Sequence, residues 1–311
     1  MTVATTPRTW PLRHLLDVDG LTRAGVETCM ALAVEMREWR ERGERPEPLR
    51  RETVGLAFYE ASTRTRVSFE LAARASGATV VDLSVAGSSV AKGESLVDTL
   101  RTLERTGVTI CILRHSASGA AHLAARETGL RVVNAGDGMH AHPTQALLDA
   151  LTIRDALGPL EGRKIAIVGD IAHSRVARSG LHLLPMLGAE VWLAGPPAFV
   201  RGFEGWPRVR VAPLDEALRD ADAVMTLRIQ VEREASAGVP SLREYTSRWG
   251  LTSERMLLAR PDAPVLHPGP TNEGVEISAE LAASRRSLIG RQVENGVAVR
   301  MAVLALVAGA P

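Results

Sequence analysis

Apolar residues recur along the chain at two alternating spacings, which predict helices and strands in turn. Residues 21–39 carry apolar side chains at helical spacing and end in a charged, proline-bearing stretch, so a helix followed by a surface loop is predicted. β-prone runs follow at 53–59, 78–83, 108–113 and 131–134, and helical periodicity occupies 66–76 and 95–106. Strands that alternate with helices are typical of a parallel sheet covered on both faces.

The alternation restarts after a helix predicted over 143–158, which could connect two domains. Further strands are predicted at 164–169, 190–194, 223–227 and 264–267, with helices at 175–187 and 214–219. The polar, weakly periodic stretch 229–262 predicts a long mobile loop with helical pieces. Residues 292–308 are apolar on nearly every face, which predicts a buried helix that packs back on the first domain.

The pattern therefore predicts an α/β protein of two domains, each a mostly parallel sheet flanked by helices. The first domain is expected to comprise residues 1–145 together with 290–311, and the second residues 146–289. The length of 311 residues agrees, since a domain averages about 150 residues. A chain of this length buries most of its unfolded surface, which excludes a disordered or disulfide-stapled scaffold.

Charge and cysteine content narrow the function classes. The 37 basic residues nearly balance the 36 acidic ones, so no overall field attracts nucleic acid or a membrane surface. No run approaches the roughly 20 apolar residues of a spanning helix, and the first residues lack the apolar core of a signal peptide. The two cysteines, Cys29 and Cys111, lack metal-ligand spacing and fit a reducing compartment. We expect a cytoplasmic protein without a metal site.

Arginine dominates the basic residues. Only Lys92 and Lys164 are lysines, and the other 35 basic residues are arginines. This excess is typical of a genome-wide drift toward arginine. A surviving lysine is then either one that arginine cannot replace or a chance survivor.

The strongest local signal is FYEASTRTRVSFE at 58–70, in which four consecutive polar side chains stand between a predicted strand and a predicted helix. A helix N-terminus presents unpaired N–H groups and the positive end of the helix dipole, and hydroxyls and an arginine add donors for a phosphate dianion. An ordinary Ser/Thr N-cap would explain one hydroxyl but not the whole run. These four residues are Ser62, Thr63, Arg64 and Thr65.

These motifs resemble those of the carbamoyltransferase family, and the resemblance covers nearly the whole chain. STRTR is the family's carbamoyl-phosphate signature, and HPTQ at 142–145 is its carbonyl-side motif. SSVAKGESLVDT at 88–99 resembles a loop that reaches into a neighbouring subunit's site in the aspartate branch. VGDIAHSRVARS at 168–179, LRIQVERE at 227–234 and HPGP at 267–270 resemble its aspartate-specific half.

Aspartate is favoured over ornithine as the acceptor. The ornithine branch typically carries a cysteine in place of HPGP and lacks the lysine-bearing loop, whereas this chain has HPGP without cysteine, and Lys92. The charges agree independently, because a dicarboxylate needs cationic partners. Arg175 and Arg228 stand just beyond predicted strands of the second domain, where open α/β sheets bind ligands.

The resemblance implies carbamoyl transfer from carbamoyl phosphate to L-aspartate, in pyrimidine synthesis and without a metal or organic cofactor. It implies a homotrimer with shared sites, to which dihydroorotase or regulatory chains are further candidate partners. For carbamoyl phosphate it implies these ligands: Ser62, Thr63, Arg64, Thr65, Ser88, Arg114, His142 and Gln145. For aspartate it implies Lys92, Arg175, Arg228, Gln230, Gly269 and Pro270. The catalytic set it implies is Arg64, Thr65, Lys92, Arg114 and His142.

For several single residues, a purely structural role remains an alternative to a functional one. By position alone Arg114 is a solvated strand-end residue or a ligand, and His142 a capping or core histidine or a catalytic one. Asp170 either caps the next helix or orients an arginine. Glu273 stands where the family often has arginine, close to the expected carboxylate site. It is the single feature that favours a non-catalytic scaffold; an ornithine enzyme is the other alternative.

Overall fold

A computed structural model of the protein describes residues 10–83, 93–229 and 241–309. Its contacts divide the chain into two compact units. Unit 1 comprises Met1–Leu148 with Val293–Pro311, and unit 2 comprises Asp149–Gln292. Within the described ranges, no helix is long and apolar enough to cross a bilayer. The same ranges hold no cluster of three or more His, Cys, Asp or Glu side chains suited to a metal ion.

Unit 1 is built on a four-stranded parallel sheet with the strand order β2-β1-β3-β4. Its strands are β1 (Thr53–Phe58), β2 (Thr79–Leu83), β3 (Ile110–His115) and β4 (Arg131–Asp137). Its helices are α1 (Arg23–Glu41), α2 (Thr63–Ala75), α3 (Leu96–Arg105), α4 (Ala120–Glu127) and α5 (Pro143–Leu157), which continues into unit 2. The central strands β1 and β3 are buried along almost their whole length, whereas β2 is a largely exposed edge.

The last helix, α11 (Ile289–Ala308), packs on unit 1 as its apolar composition predicts. Its residues from Ala298 to Ala305 are all buried. Arg37 of α1 donates from Nη1 to Oδ1 of Asn295 at 2.7 Å, and Arg131 of β4 donates to the carbonyl of Ala308 at 3.0 Å. A helix that is hydrophobic on every side has no face to leave in water, so burial follows.

Unit 2 contains a five-stranded parallel sheet with the order β7-β6-β5-β8-β9. Its strands are β5 (Lys164–Val168), β6 (Glu190–Ala194), β7 (Val209–Val211), β8 (Ala223–Thr226) and β9 (Val265–Leu266). Its helices are α6 (Arg175–Met186), α7 (Pro197–Val200), α8 (Leu214–Leu218), α9 (Leu242–Trp249) and α10 (Ala279–Ala282), with a 3₁₀ turn at Arg255–Leu257. The predicted fold class, two mostly parallel α/β sheets, is confirmed.

Short elements depart from the predicted pattern. Helix α4 was not predicted, because it buries only small alanines that give a weak apolar period. The three-residue strand β7 and helices α7 and α10 are likewise too short to show a period. Helix α2 begins at Thr63 rather than at residue 66. Ser and Thr favour turns because their side chains compete for backbone hydrogen bonds, which made the start of α2 look like a turn.

Candidate active site

The strand order of unit 1 places a topological switch point between β1 and β3. The chain leaves β1 toward β2 on one side and leaves β3 toward β4 on the other, and ligands of open α/β sheets bind at such a switch point, beyond the carboxyl ends of the strands. Phe58, the last residue of β1, lies opposite Arg114 in the register, and the N–H of Tyr59 donates to the carbonyl of Arg114 at 2.8 Å. The STRTR segment and Arg114 therefore emerge side by side.

The first turn of α2 is available to an anion. Ser62 occupies the N-cap position, with its carbonyl accepting from the N–H of Arg66 at 3.1 Å, but its hydroxyl makes no capping hydrogen bond. Thr22 and Ser174, in contrast, cap α1 and α6 through their side chains. The ordinary N-cap interpretation of Ser62 is thus wrong. Its hydroxyl and the N–H groups of the first turn are therefore available to donate hydrogen bonds to a ligand.

The four consecutive polar residues differ in exposure. Thr63 and Arg64 are exposed, Ser62 is half-buried and Thr65 is buried. Although Arg64 is exposed overall, burial of part of its side chain lowers the pKa of the guanidinium, which nonetheless stays a cation near neutral pH because the ordinary arginine pKa lies far above neutrality. The segment therefore offers an accessible cation at Arg64 and, at the next residue, a buried hydroxyl.

Arg114 is a buried cation held from two sides. Its side chain donates from Nη1 to the carbonyl of Ala135 at 3.1 Å and from Nη2 to Oε1 of Glu60 at 2.8 Å, and the residue is 8% exposed. Burial on this scale excludes the interpretation of Arg114 as a solvated strand-end residue. Glu60 is a further candidate site residue, which was not predicted from the sequence. The signal was there, since Glu60 lies in the same motif, close behind β1.

His142 and Gln145 lie at the start of α5. The carbonyl of His142 accepts from the N–H groups of Gln145 and Ala146 at 3.0 and 3.2 Å, and His142 is 4% exposed. The preceding turn is fixed by the buried Asp137, whose Oδ1 accepts from the N–H of Ala141 at 3.1 Å. Because β4 neighbours β3, this turn and Arg114 lie at the same edge of the sheet.

His115 follows Arg114 and was also missed. Its ring lies 5.2 Å from the ring of Tyr59, and its Nδ1 accepts from the N–H of Ala117 at 2.9 Å. Burial lowers the pKa of His115, and the carboxylates of Asp137 and Glu60 oppose that shift. A neutral imidazole therefore accompanies the buried guanidinium at this edge.

Unit 2 repeats the arrangement at its own switch point, between β5 and β8. Arg175 is the first residue of α6, in the connection after β5, and Arg228 follows β8 by two residues. The N–H of Leu227 donates to the carbonyl of Val168 at 2.9 Å, which holds the two strand ends together. Both arginines are half-buried, so the edge presents two partly shielded cations.

Asp170 pairs with a histidine rather than capping α6 or orienting an arginine. Its Oδ1 accepts from the N–H of His173 at 3.1 Å, and both carboxylate oxygens lie 3.0 Å from Nδ1 of that ring. The capping role belongs to Ser174, whose hydroxyl accepts from the N–H of Ala177 at 3.1 Å. Both alternatives considered for Asp170 from sequence are therefore wrong.

The HPGP segment follows β9, next to β8, so it lies at the same edge of the sheet as Arg228. The peptide bond between Gly269 and Pro270 is cis, and the N–H of Gly269 donates to Nδ1 of His267 at 2.7 Å. Gly269 is half-buried and Pro270 exposed. Glu273 is exposed on the loop that follows.

Three predicted ligands fall outside the described residues: Ser88, Lys92 and Gln230. The remaining ones separate by unit. Unit 1 brings together, at one sheet edge, Ser62, Thr63, Arg64, Thr65, Arg114, His142 and Gln145. Unit 2 gathers at its own edge Arg175, Arg228, Gly269 and Pro270.

The two units match two domains of one family. Residues 13–155 match the carbamoyl-P binding domain, and residues 161–307 the Asp/Orn binding domain, of aspartate/ornithine carbamoyltransferases. The aspartate carbamoyltransferase catalytic subunit of Thermus aquaticus is 54% identical over 295 residues, covering 94% of this chain and 97% of the relative. That of Roseiflexus sp. (strain RS-1) is 50% identical over 304 residues, covering 96% and 95%.

Solved structures agree with the sequence relatives. Aspartate transcarbamoylase from Trypanosoma cruzi in complex with carbamoyl phosphate and aspartate superposes with a TM-score of 0.86, at 32% identity over 94% of this chain and 95% of that one. The same enzyme in complex with N-(phosphonacetyl)-L-aspartic acid gives a TM-score of 0.86 at 32% identity, over 94% of both chains.

Proposed function

This chain belongs to the aspartate/ornithine carbamoyltransferase family, and we propose that it carries out the aspartate reaction. It transfers the carbamoyl group of carbamoyl phosphate to the amine of L-aspartate and releases N-carbamoyl-L-aspartate and phosphate, a step of pyrimidine biosynthesis. One observation carries the residue assignment. At its own switch point, unit 1 presents Arg114 and a helix N-terminus without a side-chain cap, and unit 2 presents two arginines.

The phosphate binds at the start of α2. Ser62, Thr63 and Thr65 donate hydroxyls, the first-turn N–H groups add donors, and Arg64 supplies the accessible cation. A guanidinium fork suits a tetrahedral oxyanion because it donates two parallel hydrogen bonds. Ser88, which lies outside the described residues, completes this set in a neighbouring subunit.

The carbonyl is polarised by Thr65, Arg114 and His142, and Gln145 contacts the carbamoyl NH₂. Arg114 and His142 are buried beside the switch point, where electrostatic interactions are weakly screened. Preorganised donors of this kind stabilise a tetrahedral oxyanion, and each one removed costs about 3–4 kcal/mol of transition-state stabilisation. Arg114 bridges the phosphate and the carbonyl oxygen.

Aspartate binds in unit 2. Arg175 and Arg228 pair with its two carboxylates, Gln230 and Lys92 assist, and the backbone at Gly269 and Pro270 lines the amine. The uncharged amine attacks the carbamoyl carbon to form the new N–C bond, and the C–O bond to phosphate breaks. The leaving phosphate takes the bonding electron pair and accepts the amine proton, so no separate protein base is required.

We further propose a cytoplasmic homotrimer in which Ser88 and Lys92 complete the site of a neighbouring subunit. Exposed apolar side chains on α2 and the edge strand β2 support this assembly: Val67 and Leu71 are 47% and 50% exposed, and Val81 is 39% exposed. Val67 and Leu71 lie four residues apart, so they share one face of α2, and adjacent exposed apolar side chains favour a protein interface. Dihydroorotase or regulatory chains remain candidate partners of the trimer.

A parallel steady-state assay with aspartate and ornithine tests the proposal. We expect phosphate release from carbamoyl phosphate that depends on aspartate and not on ornithine, with N-carbamoyl-L-aspartate as product. Turnover with ornithine alone would instead assign the ornithine branch. Binding of carbamoyl phosphate without turnover of either amino acid would indicate the scaffold alternative that Glu273 favours.

A further inference from the structure

We propose that a largely buried network of hydrogen-bonded side chains in unit 2, centred on His267 and Glu276, positions the backbone at Gly269 and the segment that carries Arg228, both of which receive aspartate. This network, referred to below as the polar chain, consists of the side chains of five residues: Asp149, Gln292, His267, Glu276 and Asn272. The inference rests on the proposed aspartate reaction. It assigns roles to residues that have none in the site described above.

The polar chain is anchored where the main chain enters and leaves unit 2. Asp149 and Gln292 are the first and last residues of that unit. Gln292 donates from Nε2 to Oδ1 of Asp149 at 2.7 Å, and its Oε1 accepts from the N–H of His267 at 2.9 Å. All three residues are buried, so the amide of Gln292 links the unit's two ends to the HPGP segment.

The hydrogen bonds of His267 determine its tautomer. The N–H of Gly269 donates to Nδ1 at 2.7 Å, so Nδ1 carries no proton. Nε2 therefore carries it and donates to Oε1 of Glu276 at 3.1 Å. A doubly protonated ring would set a second N–H against that of Gly269. The orientation of Gly269 and the proton position on His267 thus depend on each other.

Glu276 joins this turn to the arginine segment. The residue is 0% exposed, and its Oε1 also accepts from the N–H of Asn272 at 2.6 Å. Asn272 in turn donates from Nδ2 to the carbonyl of Ile229 at 3.1 Å. Ile229 directly follows Arg228. One buried carboxylate therefore holds both the backbone that lines the amine and the segment that carries a carboxylate ligand.

The other oxygen of Glu276, Oε2, has no hydrogen-bond partner among the described residues. A buried carboxylate that is only half-satisfied contributes little to stability, because its desolvation offsets the attraction it gains. The two hydrogen bonds that Oε1 of Glu276 accepts are therefore better explained by positioning. The groups that hold a substrate must stay within well under 1 Å of their productive positions, and such precision needs fixed supporting side chains.

Substitutions of His267 separate its two nitrogens. His267→Gln retains a donor toward Glu276 but loses the acceptor for Gly269, whereas His267→Asn retains that acceptor and loses the donor. We expect the aspartate KM to rise about 10- to 100-fold in His267→Gln and less in His267→Asn, because Gly269 contacts the substrate directly. The affinity for carbamoyl phosphate should stay within about twofold of wild type, since its ligands lie in unit 1.

Asn272→Ala is a milder variant, since it removes only the hydrogen bond to Ile229 and keeps the backbone contact with Glu276. It should raise the aspartate KM about threefold to tenfold while the protein stays folded. Asp222→Asn is the matched control. Asp222 is a buried carboxylate of the same unit that accepts from the N–H of Lys164 and from Arg163, both at 2.9 Å, at the opposite edge of the sheet. It should lower stability without changing the aspartate KM.

The measurements are steady-state kinetics in aspartate, calorimetric binding of carbamoyl phosphate and thermal unfolding of each variant. A wild-type protein that does not carbamoylate aspartate would overturn the proposed function itself. An active wild type whose His267 and Asn272 variants match Asp222→Asn in aspartate KM would overturn the positioning role alone.

Discussion

Ser62 shows how one side chain can stand in a capping position without capping. Its hydroxyl leaves the first turn of α2 unsatisfied, whereas the hydroxyl of Thr22 accepts from the N–H of Gly25 at 3.1 Å in α1. A capping side chain stabilises its helix by about 1 kcal/mol. At Ser62 that contribution is missing, and the unused donors face the switch point instead.

Ser62 and Thr22 are predicted to respond in opposite ways to substitution by alanine, one in ligand binding and the other in stability. Ser62→Ala should change the free energy of unfolding by less than about 0.5 kcal/mol but weaken carbamoyl phosphate binding about tenfold or more, because it removes a hydrogen bond to a charged group. Thr22→Ala should destabilise the protein by about 1 kcal/mol and leave binding unchanged. Urea unfolding and calorimetric titration measure both. Equal stability losses in the two variants would mean that Ser62 acts as a cap after all.

His14 gives unit 1 a predictable response to acid. Its Nδ1 accepts from the N–H of Val132 at 3.1 Å, and burial, assisted by the charge of Arg13, lowers its pKa below the ordinary 6.5. The unfolded chain therefore binds a proton at a higher pH than the folded one. The stability from neutral His14 is fully present above pH 6.5 and is lost as the pH falls through 6.5 toward the folded pKa.

A variant without a titratable side chain at residue 14 is predicted to lose less stability in acid than wild type. Between pH 7 and pH 5, His14→Gln should lose less of its free energy of unfolding than wild type, because the linked protonation is gone. Urea unfolding at several pH values gives the two slopes. Burial also lowers the pKa of His115, but this residue is present in both proteins and contributes equally to their pH dependence. Identical slopes would refute the linkage assigned to His14.

At the scale of elements, the turn after β5 delivers Arg175 to its place. Gly169 adopts a φ of +130°, which suits glycine, and its N–H donates to the carbonyl of Ala194 at 2.9 Å. A Cβ on Gly195 would overlap the carbonyl oxygen of Gly169. The connections after β5 and β6 therefore pass too closely for any side chain at residue 195.

Gly195→Ala should force that turn to move. We expect a loss of about 1–3 kcal/mol in the free energy of unfolding and a raised aspartate KM, with carbamoyl phosphate binding unchanged. Gly290→Ala is the control: residue 290 lies in the first turn of α11, where no atom of the described residues beyond its own helix backbone and chain neighbours comes within 4 Å of the new Cβ, so the change should stabilise by up to about 1 kcal/mol. Unfolding curves and kinetics test both. An unchanged aspartate KM in Gly195→Ala would show that the turn does not position Arg175.

Elements were predictable where their period was long enough to see. The buried α11 and the central strands β1 and β3 follow directly from apolar runs. Helix α4 escaped because its buried face is alanine, and α9 lay inside a stretch expected to be mostly loop, where Tyr245 is its buried residue. The start of α2 was wrong by three residues because Ser and Thr favour turns and helix N-termini alike, whereas α5, α6 and α8 begin at the predicted residues.

At the scale of the whole molecule, the two halves of the chemistry reside in different units. Unit 1 carries the proposed carbamoyl phosphate ligands and unit 2 the proposed aspartate ligands, while Ser88 and Lys92 are proposed to serve a neighbouring subunit. The proposed ligands are thus drawn from both units and, by the proposed assembly, from more than one chain.

Mixed oligomers test the shared site. Arg114→Ala and Lys92→Ala should each reduce kcat by about 100-fold or more, as expected for loss of a transition-state contact. Reassembling the two inactive proteins together should restore part of the wild-type activity, because some sites then draw both intact residues from different chains. Reassembly of each variant alone is the control and should stay inactive. If mixing restores nothing, each site lies within one chain.

The sequence by itself determined the α/β class, the two-domain plan, the family and which residues could meet an anion. Those features depend on local periodicity and on motifs whose residues are adjacent in the chain. The tertiary structure alone decided which distant side chains meet. Glu60 and Arg114 pair across 54 positions, and Gln292 reaches His267 across 25, because strand order rather than sequence distance brings them together. Whether the hydroxyl of Ser62 caps its helix or is left for a ligand depends on the backbone geometry at one turn, which residue type does not specify.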